Sequence, residues 1–358
     1  MKILFLTKYF PPEPGGIETL SKSLCDFYSL KKNKIEVCAF SKKKNYVYKL
    51  MDYKVNFFKP NFEIFSTPFS LKMFIYVLRN SKNFDCVHIV TPNPWPTFFL
   101  YFIKINNLII SWGSDIVNQR ILKIFLNYFQ NSLLRKSKKI ICLSKNYVNY
   151  SKDLKKFKNK IIIIPPLIEK NLNKKKYNSN KKIIDIVSIG RLVDYKSHDI
   201  AIESFKLLPE NFHLKIIGSG KLLHELESKI FKLKLENRIK ILQNISDKKK
   251  NEILRKSDIF LICSKSRAES FGIVILEALS AGLPLIVSDV KGSGMKDMIR
   301  NNVNGYLFKP KSFKDCANKI KKISSSFKKL SRFSKSSIEI FDKKFSKKII
   351  EKKMQSLY

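Results

Sequence analysis

Residues 269–289 read ESFGIVILEALSAGLPLIVSD, an apolar segment long enough for a short helix, followed at once by an apolar strand. The first part predicts a helix at 271–282 that packs on most sides, and the second predicts a buried strand at 284–289. Glu277 is the one charged residue inside this helix. Because carboxylates are rarely buried without a partner, we expect a cation or a hydrogen-bond donor to meet Glu277.

The same alternation of apolar strands and amphipathic helices extends along the rest of the chain. Strands are predicted at residues 2–6, 34–40, 86–90, 108–112, 139–144, 160–165, 184–190, 213–220, 239–243, 258–264 and 284–289. Helices are predicted at residues 17–32, 117–136, 197–208, 221–236, 247–256 and 271–282, with a helical tail at 312–358. Near-continuous Ile and Val content is typical of parallel strands covered on both faces. The fold class is therefore α/β, with doubly wound sheets.

A polar, lysine-rich segment divides this alternation into two halves. Residues 165–182 read PPLIEKNLNKKKYNSNKK, which predicts a linker. A chain of 358 residues is also too long for one ordinary core. The expected organisation is a first domain, a linker, a second domain and C-terminal helices, at residues 1–166, 167–182, 183–325 and 326–358.

The charge balance points to anionic partners. Lys and Arg number 70 against 29 Asp and Glu, a formal charge of +41. Nucleic acid, an anionic membrane surface and phosphorylated substrates are the partners that such a charge attracts. The lysines are spread along the chain, which disfavours a dedicated nucleic-acid arm. Compositional bias towards Lys, Asn, Ile and Phe is the alternative explanation of the charge.

Cysteine usage and apolar run lengths indicate an intracellular setting. The six cysteines contain no CxxC pair, and several lie in strand-like segments, so we expect buried thiols rather than disulfides or a zinc site. The most apolar segment, residues 94–103, is far shorter than the roughly 20 residues that span a bilayer. The N-terminal apolar run is too short for a signal peptide. The expected location is the cytoplasm, with peripheral contact to the inner face of the membrane.

Two glycine- or cation-bearing loops follow predicted strands. Gly15 and Gly16, in PPEPGGIE, precede a helix whose free N–H groups suit an anion. Arg191 and Lys196, in SIGRLVDYKSHD, combine a fork donor and a point cation that suit a diphosphate. The alternatives are a plain strand-to-helix turn and two solvated basic residues. Ligands of doubly wound folds bind at these strand ends, which favours the functional interpretation.

Two carboxylates follow a third strand. Glu269 lies in the loop before the helix, and Glu277 lies about two turns inside it. Carboxylates accept hydrogen bonds from hydroxyl groups, which sugars and riboses supply. The alternative makes Glu269 a solvated loop residue and pairs Glu277 with a buried lysine.

Together these segments resemble family 4 retaining glycosyltransferases. ESFGIVILE resembles the family's E-x7-E signature, GGIE its N-terminal glycine loop, DCVHIVTPNPW its D-x-x-H-x-H-x-P segment and GRLVDYK its G-R-L-x-x-x-K segment. AGLPLIVSDVKG and NGYLF are similar to later loops of the donor domain. The resemblance covers nearly the whole chain. It implies the GT-B fold, in which two Rossmann-like domains face each other across a cleft, and the C-terminal helices at 326–358 would cross back to the first domain.

The resemblance also implies a role for each matching residue. The first domain would bind the acceptor and the second the nucleotide-sugar donor. Arg191 and Lys196 would hold the donor diphosphate, and Glu269 would bind the transferred sugar. Glu277 would bind the ribose of the nucleotide. The donor-binding set implied by the resemblance is Gly15, Gly16, Phe271, Gly272, Ile273 and Glu277, with Glu269, Arg191 and Lys196 catalytic.

Two departures from the family pattern fall on the acceptor side. Val90 stands where the family often has a second His, and Gly113 stands where relatives often carry one. Three residues are candidates for acceptor contact: Glu18, His88 and Asp115. His88 is equally explained as a buried strand histidine.

The expected function is a retaining hexosyl transfer from a UDP- or GDP-linked sugar to a glycan or lipid-linked acceptor, in surface polysaccharide or lipopolysaccharide synthesis. No cofactor and no metal are expected, and the chain contains no D-x-D. Residues 42–76 mix Lys with Phe and Tyr, which suits a membrane-facing acceptor lobe, with a plain helix pair as the alternative. The alternative functions are a nucleotide-sugar epimerase or sugar-phosphate-forming enzyme of this fold, and a non-catalytic basic protein that binds membrane or nucleic acid.

Overall fold

The computed structural model describes residues 1–13, 15–41, 43–50, 52–64, 67–115, 120–170 and 183–357, without the side chains of 120–126. The chain divides into two compact units. The first unit comprises Met1–Leu167 with Ile350–Tyr358, and the second comprises Ile168–Ile349. Most of the predicted linker, residues 171–182, and the predicted helix start at 117–119 lie outside the described residues.

The first unit is built on a sheet in which eight strands are described. Their bounds are β1 (Lys2–Leu6), β2 (Lys34–Phe40), β3 (Tyr46–Leu50), β4 (Tyr53–Phe58), β7 (Cys86–Thr91), β8 (Leu108–Trp112), β9 (Lys139–Cys142) and β10 (Ile161–Ile163). The strand order is β10-β9-β8-β7-β1-β2-β4-β3. All neighbours are parallel except β3 and β4, which form an antiparallel edge. A separate hairpin joins β5 (Phe62–Ile64) to β6 (Thr67–Phe69).

Helices follow the strands of the first unit in the usual βα sequence. Their bounds are α1 (Gly16–Leu30), α2 (Leu71–Asn80), α3 (Pro94–Tyr101), α4 (Arg120–Lys136) and α5 (Lys145–Tyr150). The sheet supplies the core, because strands such as β1 and β8 have side chains buried on both faces.

The second unit is a parallel sheet in which six strands are described. They are β11 (Ile184–Ile189), β12 (Phe212–Ile217), β13 (Ile239–Leu242), β14 (Ile259–Ile262), β15 (Leu285–Ser288) and β16 (Gly305–Phe308), in the order β13-β12-β11-β14-β15-β16. Its helices are α6 (His198–Ser204), α7 (Leu223–Lys232), α8 (Asp247–Lys256), α9 (Ile273–Ser280), α10 (Phe313–Ile323) and α11 (Phe327–Lys344). Helix α12 (Lys347–Gln355) spans the residue boundary between the two units.

Each sheet has one point where the strand order reverses. In the first unit it lies between β1 and β7, and in the second between β11 and β14. At such a point the loops after the two strands run to opposite faces of the sheet and leave a crevice at the carboxyl edge, which is where doubly wound folds bind ligands. The order and the parallel pairing therefore locate the place in each unit where a site is expected.

Two expectations need correction. The tail was expected to leave the second domain at residue 326, but Leu330 and Phe333 of α11 lie in the core of the second unit. The Ser337 hydroxyl on the same helix donates to the carbonyl oxygen of Leu283 at 2.8 Å. The apolar face of α11 therefore packs on the second unit, and only Ile350–Tyr358 belong to the first. The helix-pair alternative for residues 42–76 is also wrong, because the segment contains the strands β3, β4, β5 and β6 and only the start of one described helix, α2.

Candidate active site

Three loops meet at the reversal point of the second unit. The loop after β11 is joined to the loop after β14 by a main-chain hydrogen bond from the amide N of Lys265 to the carbonyl O of Tyr195, 2.8 Å. The Lys265 ammonium also donates to Asp194 Oδ1 at 2.5 Å. The parallel pairing of β11 with β14 ends both strands at this edge, which is why these two loops come together.

A buried ion pair stands where the loops meet. The Lys196 ammonium contacts Glu269 Oε2, and each residue is only 8% exposed. The Ser264 hydroxyl donates to the same carboxylate oxygen at 3.4 Å. Glu269 is therefore not a solvated loop residue, and Lys196 is not a solvated cation. Burial of a charged pair is costly unless both partners are well satisfied, which makes this pair an unusual feature of the sheet edge.

The loop after β15 fixes the main chain around Glu269. The Ser293 hydroxyl donates to the carbonyl oxygen of Glu269 at 2.5 Å. The amide of Gly294 donates to the carbonyl oxygen of Ser270 at 2.7 Å. Glu269 is thus held at its backbone by one loop and at its carboxylate by another, so its side chain has little freedom to turn away.

Arg191 lies at the exposed side of this arrangement. Its Nη2 donates to the hydroxyl of Tyr195 at 3.1 Å. Lys196 Nζ lies 5.7 Å from the centre of the Tyr195 ring, which places Tyr195 against both cations.

Five side chains of the site were not identified from the sequence: Tyr195, Lys250, Ser264, Lys265 and Ser293. Tyr195 lies inside a recognised motif and Lys265 lies close to another. Their position near these motifs is the only signal by which the sequence could have indicated them.

The start of α9 presents backbone donors at the same edge. Gly272 caps the helix in the left-handed region, with φ 80°, and Phe271 beside it is buried. The first N–H groups of a helix have no acceptor within the helix; in α9 this leaves those of Ile273 and Val274, since the amide of Ile275 donates to the carbonyl oxygen of Gly272 at 2.8 Å. A β-carbon on Gly272 would lie 3.0 Å from Ile275 Cδ1 and 3.3 Å from Met295 Cγ. Glycine is therefore required for the turn that exposes these donors.

We expect Gly272→Ala to lower the free energy of unfolding by about 1–2 kcal/mol, because a β-carbon is strained in the left-handed region. It should also weaken nucleotide binding, because relief of the strain moves the first N–H groups of α9. Gly282→Ala is the matched control, since Gly282 has φ 72° at the other end of this helix and a similar 3.0 Å contact, with Ile338. Denaturant unfolding and nucleotide titration of both variants check this. Equal nucleotide affinity in the two variants would contradict it.

Glu277 has one satisfied and one unsatisfied oxygen. Lys250 Nζ donates to Oε1 at 3.1 Å. Oε2 is buried and has no hydrogen-bond partner among the described residues. Burial alone would lower the pKa of Lys250, but Glu277 and Asp247 outweigh it and raise that pKa above its ordinary value. The structure thus gives Glu277 the lysine partner of the alternative interpretation at Oε1, and its binding of a ribose stays a prediction.

The glycine loop of the first unit lies at the start of α1. Gly15 and Gly16 are exposed, and Gly15 precedes the helix in an extended conformation. Glu18 lies in the first turn, and a β-carbon built on Gly15 would fall 2.0 Å from its Oε2. Glu18 therefore turns back over the helix start, as the third residue of a capping box does. This placement lies at the start of α1, and contact of Glu18 with an acceptor stays a prediction.

His88 and Asp115 are buried structural residues. His88 has no exposed surface, and its Nδ1 and Nε2 meet the hydroxyls of Tyr28 at 2.9 Å and Ser111 at 2.8 Å. Burial lowers the pKa of His88 to about 3. Asp115 Oδ1 accepts from Trp112 Nε1 at 3.0 Å and from the Ser151 hydroxyl at 2.8 Å. Both side chains are thus held by structural hydrogen bonds, as the alternative interpretation has it for His88, and contact of either with an acceptor stays a prediction.

Comparison with known proteins finds similarity to glycosyltransferases. Residues 169–339 match the family model described as glycosyl transferases group 1. The O-antigen chain mannosyltransferase C of Escherichia coli is 24% identical over 357 residues, which cover 97% of this chain and 95% of that protein. The sucrose-phosphate synthase of Thermosynechococcus elongatus superposes with a TM-score of 0.82 at 14% identity, covering 100% of this chain and 98% of that one. The Anabaena protein HepE in complex with UDP-glucose superposes with a TM-score of 0.78 at 19% identity, covering 100% and 99%.

The matched residues 169–339 contain the Lys196–Glu269 pair, Arg191, the start of α9 and Glu277. The two doubly wound sheets agree with the fold of the superposed structures. The chain therefore has the GT-B fold, its residues 169–339 match the glycosyl transferases group 1 model, and its full-length likeness to a mannosyltransferase makes it a glycosyltransferase.

Proposed function

We propose that this glycosyltransferase is a retaining enzyme of family 4. It transfers a sugar from a nucleotide-diphosphate sugar to a hydroxyl of a glycan or lipid-linked acceptor, in surface polysaccharide or lipopolysaccharide synthesis. The observation that carries the proposal is the buried Lys196–Glu269 pair at the reversal point of the second sheet, with Arg191 beside it. The full-length likeness to an O-antigen mannosyltransferase supports the glycan acceptor.

The cations account for departure of the diphosphate. When the bond between the anomeric carbon and the phosphate oxygen breaks, negative charge develops on the diphosphate. A guanidinium fork and an ammonium in a partly buried site stabilise that charge more strongly than they would in water. Lys196 is held in place before the donor arrives by its contact with Glu269. The first N–H groups of α9 add further donors at the same edge.

The surroundings of the acceptor-side candidates support the proposed retention of configuration. Among the described residues, no uncommitted carboxylate or imidazole stands at the first unit's candidate positions, since His88 and Asp115 are buried in structural bonds and Glu18 covers a helix start. The acceptor hydroxyl would attack on the face from which the diphosphate leaves. Its oxygen bonds to the anomeric carbon, and the departing phosphate oxygen takes its proton. The configuration at the anomeric carbon is then retained.

The carboxylates account for recognition of the donor. Glu269 would accept hydrogen bonds from the hydroxyls of the transferred sugar, using the oxygen that does not contact Lys196. Glu277 would bind the ribose, and its unpartnered Oε2 is the acceptor that such a hydroxyl needs. The Anabaena structure contains UDP-glucose, so UDP- and GDP-linked sugars are the donors to examine first. We also propose that transfer is metal-independent, and retention of activity in excess EDTA would support this.

Peripheral membrane contact is part of the proposal. Exposed apolar side chains lie in residues 42–76, the expected membrane-facing lobe, and on helix α2, which begins in that segment. They are Val47, Tyr48, Phe62, Ile64, Leu71, Ile75 and Leu78. Lysines intersperse this segment, and basic residues near an anionic lipid surface attract it by about 1 kcal/mol each. Within the described part of the chain, no helix is long and apolar enough to cross a bilayer.

Thermal unfolding across a panel of UDP-, GDP- and ADP-sugars tests the donor site. A ligand that binds only the folded protein raises the melting temperature, by an amount equivalent to about 2.7 kcal/mol at a hundred times its Kd. We expect one nucleotide series to give a clear shift and Glu277→Gln to reduce it. Glu227→Gln is the matched control, because Glu227 is an exposed residue of α7. A folded protein that no member of the panel stabilises would contradict the proposed function.

A further inference from the structure

We propose that Lys250 positions Glu277 for the ribose of the donor, and so makes the site selective for ribonucleotides over their deoxy analogues. The inference rests on the proposed function, which assigns the ribose to Glu277. It adds a residue outside the recognised motifs, on a different helix. It also states which carboxylate oxygen is held and which is left for the ligand.

The two oxygens of Glu277 have different surroundings. Lys250 Nζ lies 3.1 Å from Oε1, and both side chains are about four-fifths buried, at 20% and 21% exposed. Oε2 is buried and has no partner among the described residues. An unsatisfied buried carboxylate oxygen is costly, so it marks a place where a donor is missing. A ribose hydroxyl supplies one donor of the required kind.

Local structure brings Lys250 to this position. The Ser246 hydroxyl accepts from the amide of Lys249 at 3.2 Å and so caps α8, which begins at Asp247. Lys250 comes one turn later, and its ammonium also pairs with Asp247 Oδ1 at 2.9 Å. Asp247 is almost fully exposed, so this second pair contributes little. The ammonium is therefore directed mainly at Glu277.

The charge on Lys250 is secure. Burial would lower its pKa, but the carboxylates of Glu277 and Asp247 raise it above the ordinary value for lysine. The ammonium therefore stays protonated through the physiological range and keeps a fixed partner on Oε1. An apolar residue at this position would leave the Glu277 carboxylate without a countercharge and free to rotate, and the oriented acceptor would be lost.

Lys249 provides a matched control on the same helix. Its ammonium pairs with Glu252 Oε2 at 3.0 Å, on the exposed side of α8. Lys249→Met and Lys250→Met therefore remove the same charge from neighbouring positions. Only the second removes the partner of Glu277. Lys250→Arg keeps a cation there and serves as the conservative variant.

The test measures Kd for UDP and GDP, and for their 2′-deoxy and 3′-deoxy analogues, in the full chain. Loss of an oriented charge-assisted bond predicts about tenfold weaker binding of the ribonucleotide in Lys250→Met. At least one deoxy analogue should bind Lys250→Met as tightly as it binds wild type. The preference for the ribonucleotide over that analogue should therefore fall by about tenfold. In turnover the loss should fall on donor KM, with kcat changed less than about threefold. Lys249→Met should match wild type, and Lys250→Arg should recover most of the discrimination.

The outcomes separate this inference from the proposed function. If Glu277→Gln weakens ribonucleotide binding and Lys250→Met does not, the positioning role is overturned and the proposed function stands. If Glu277→Gln has no effect, the ribose assignment fails and the inference fails with it. The double variant Lys250→Met, Glu277→Gln removes the buried charge together with its partner, and so keeps the test valid where Lys250→Met alone is poorly folded. The proposal would also be overturned if that double variant preferred ribonucleotides over their deoxy analogues as strongly as wild type does.

Discussion

Lys196→Met is expected to lower kcat by about 10²- to 10³-fold, the range seen when one preorganised donor to a developing anion is removed. Its ammonium is buried against Glu269 at the carboxyl edge of β11 and β14, where the proposed diphosphate leaves. The loss should appear in kcat more than in donor KM, because the charge it stabilises is greatest as the bond breaks. The measurement is acceptor-dependent release of nucleoside diphosphate by the purified protein.

A loss of activity in Lys196→Met must be distinguished from a loss of folding. Lys196→Met leaves Glu269 buried without its cation, which costs about 3–5 kcal/mol in comparable pairs. The double variant Lys196→Met, Glu269→Gln removes both charges, and it should regain stability without regaining activity. Lys215→Met is the control, because Lys215 pairs with Asp185 at 3.4 Å near the opposite end of β11. Activity of a folded Lys196→Met protein within threefold of wild type would refute the assignment.

Acid should destabilise both units through buried histidines. Burial lowers the pKa of His88 to about 3. Burial, and then the nearby charge of Lys196, lowers the pKa of His198 to about 4. The unfolded chain binds a proton at each near pH 6.5, so protonation favours unfolding below that value. Each unit should therefore lose roughly 1 kcal/mol of unfolding free energy per pH unit as the pH falls from 6 to 4.

Denaturant unfolding at several pH values checks this sign and window. His88→Gln should remove most of the pH dependence of the first unit between pH 6 and 4, at the expense of stability at neutral pH, because Tyr28 and Ser111 lose their bonds to the ring. His224→Gln is the control, since the His224 side chain is almost fully exposed on α7. A stability that is flat from pH 6 to 4 in the wild type would contradict the buried neutral imidazoles.

The parallel strands were predictable because their residues carry a strong signal. β1, β8 and β11 are short segments rich in Ile, Leu and Val, with almost every side chain buried, and their bounds match the prediction to within a residue. β3 was missed because it is the exposed antiparallel edge of the sheet, where Tyr48 and Lys49 interrupt the apolar pattern. β4 is mostly buried between β2 and β3, but Lys54 and Asn56 interrupt its apolar run. β16 was also missed, because it is only four residues long.

The site was predictable where residue type and position after a strand agree. Arg191, Lys196 and Glu269 follow strands that the composition had already identified, so topology brings them together. Lys250 carried no signal, because one lysine on an exposed helix is indistinguishable among 70 basic residues. The burial of His88 could not be decided from the sequence for a similar reason. Its partners Tyr28 and Ser111 are 60 and 23 residues away, and no local pattern records that they close over the ring.

The central claim is that the edge of β11 and β14 in the second unit is the donor site. A crystal structure of the protein soaked with the nucleotide sugar that most raises its melting temperature tests this claim most directly. The account predicts the diphosphate against Arg191 and Lys196, the sugar hydroxyls on Glu269 and a ribose hydroxyl on Glu277 Oε2. A nucleotide sugar bound elsewhere, with the Lys196–Glu269 contact and the bare Oε2 unchanged, would contradict it.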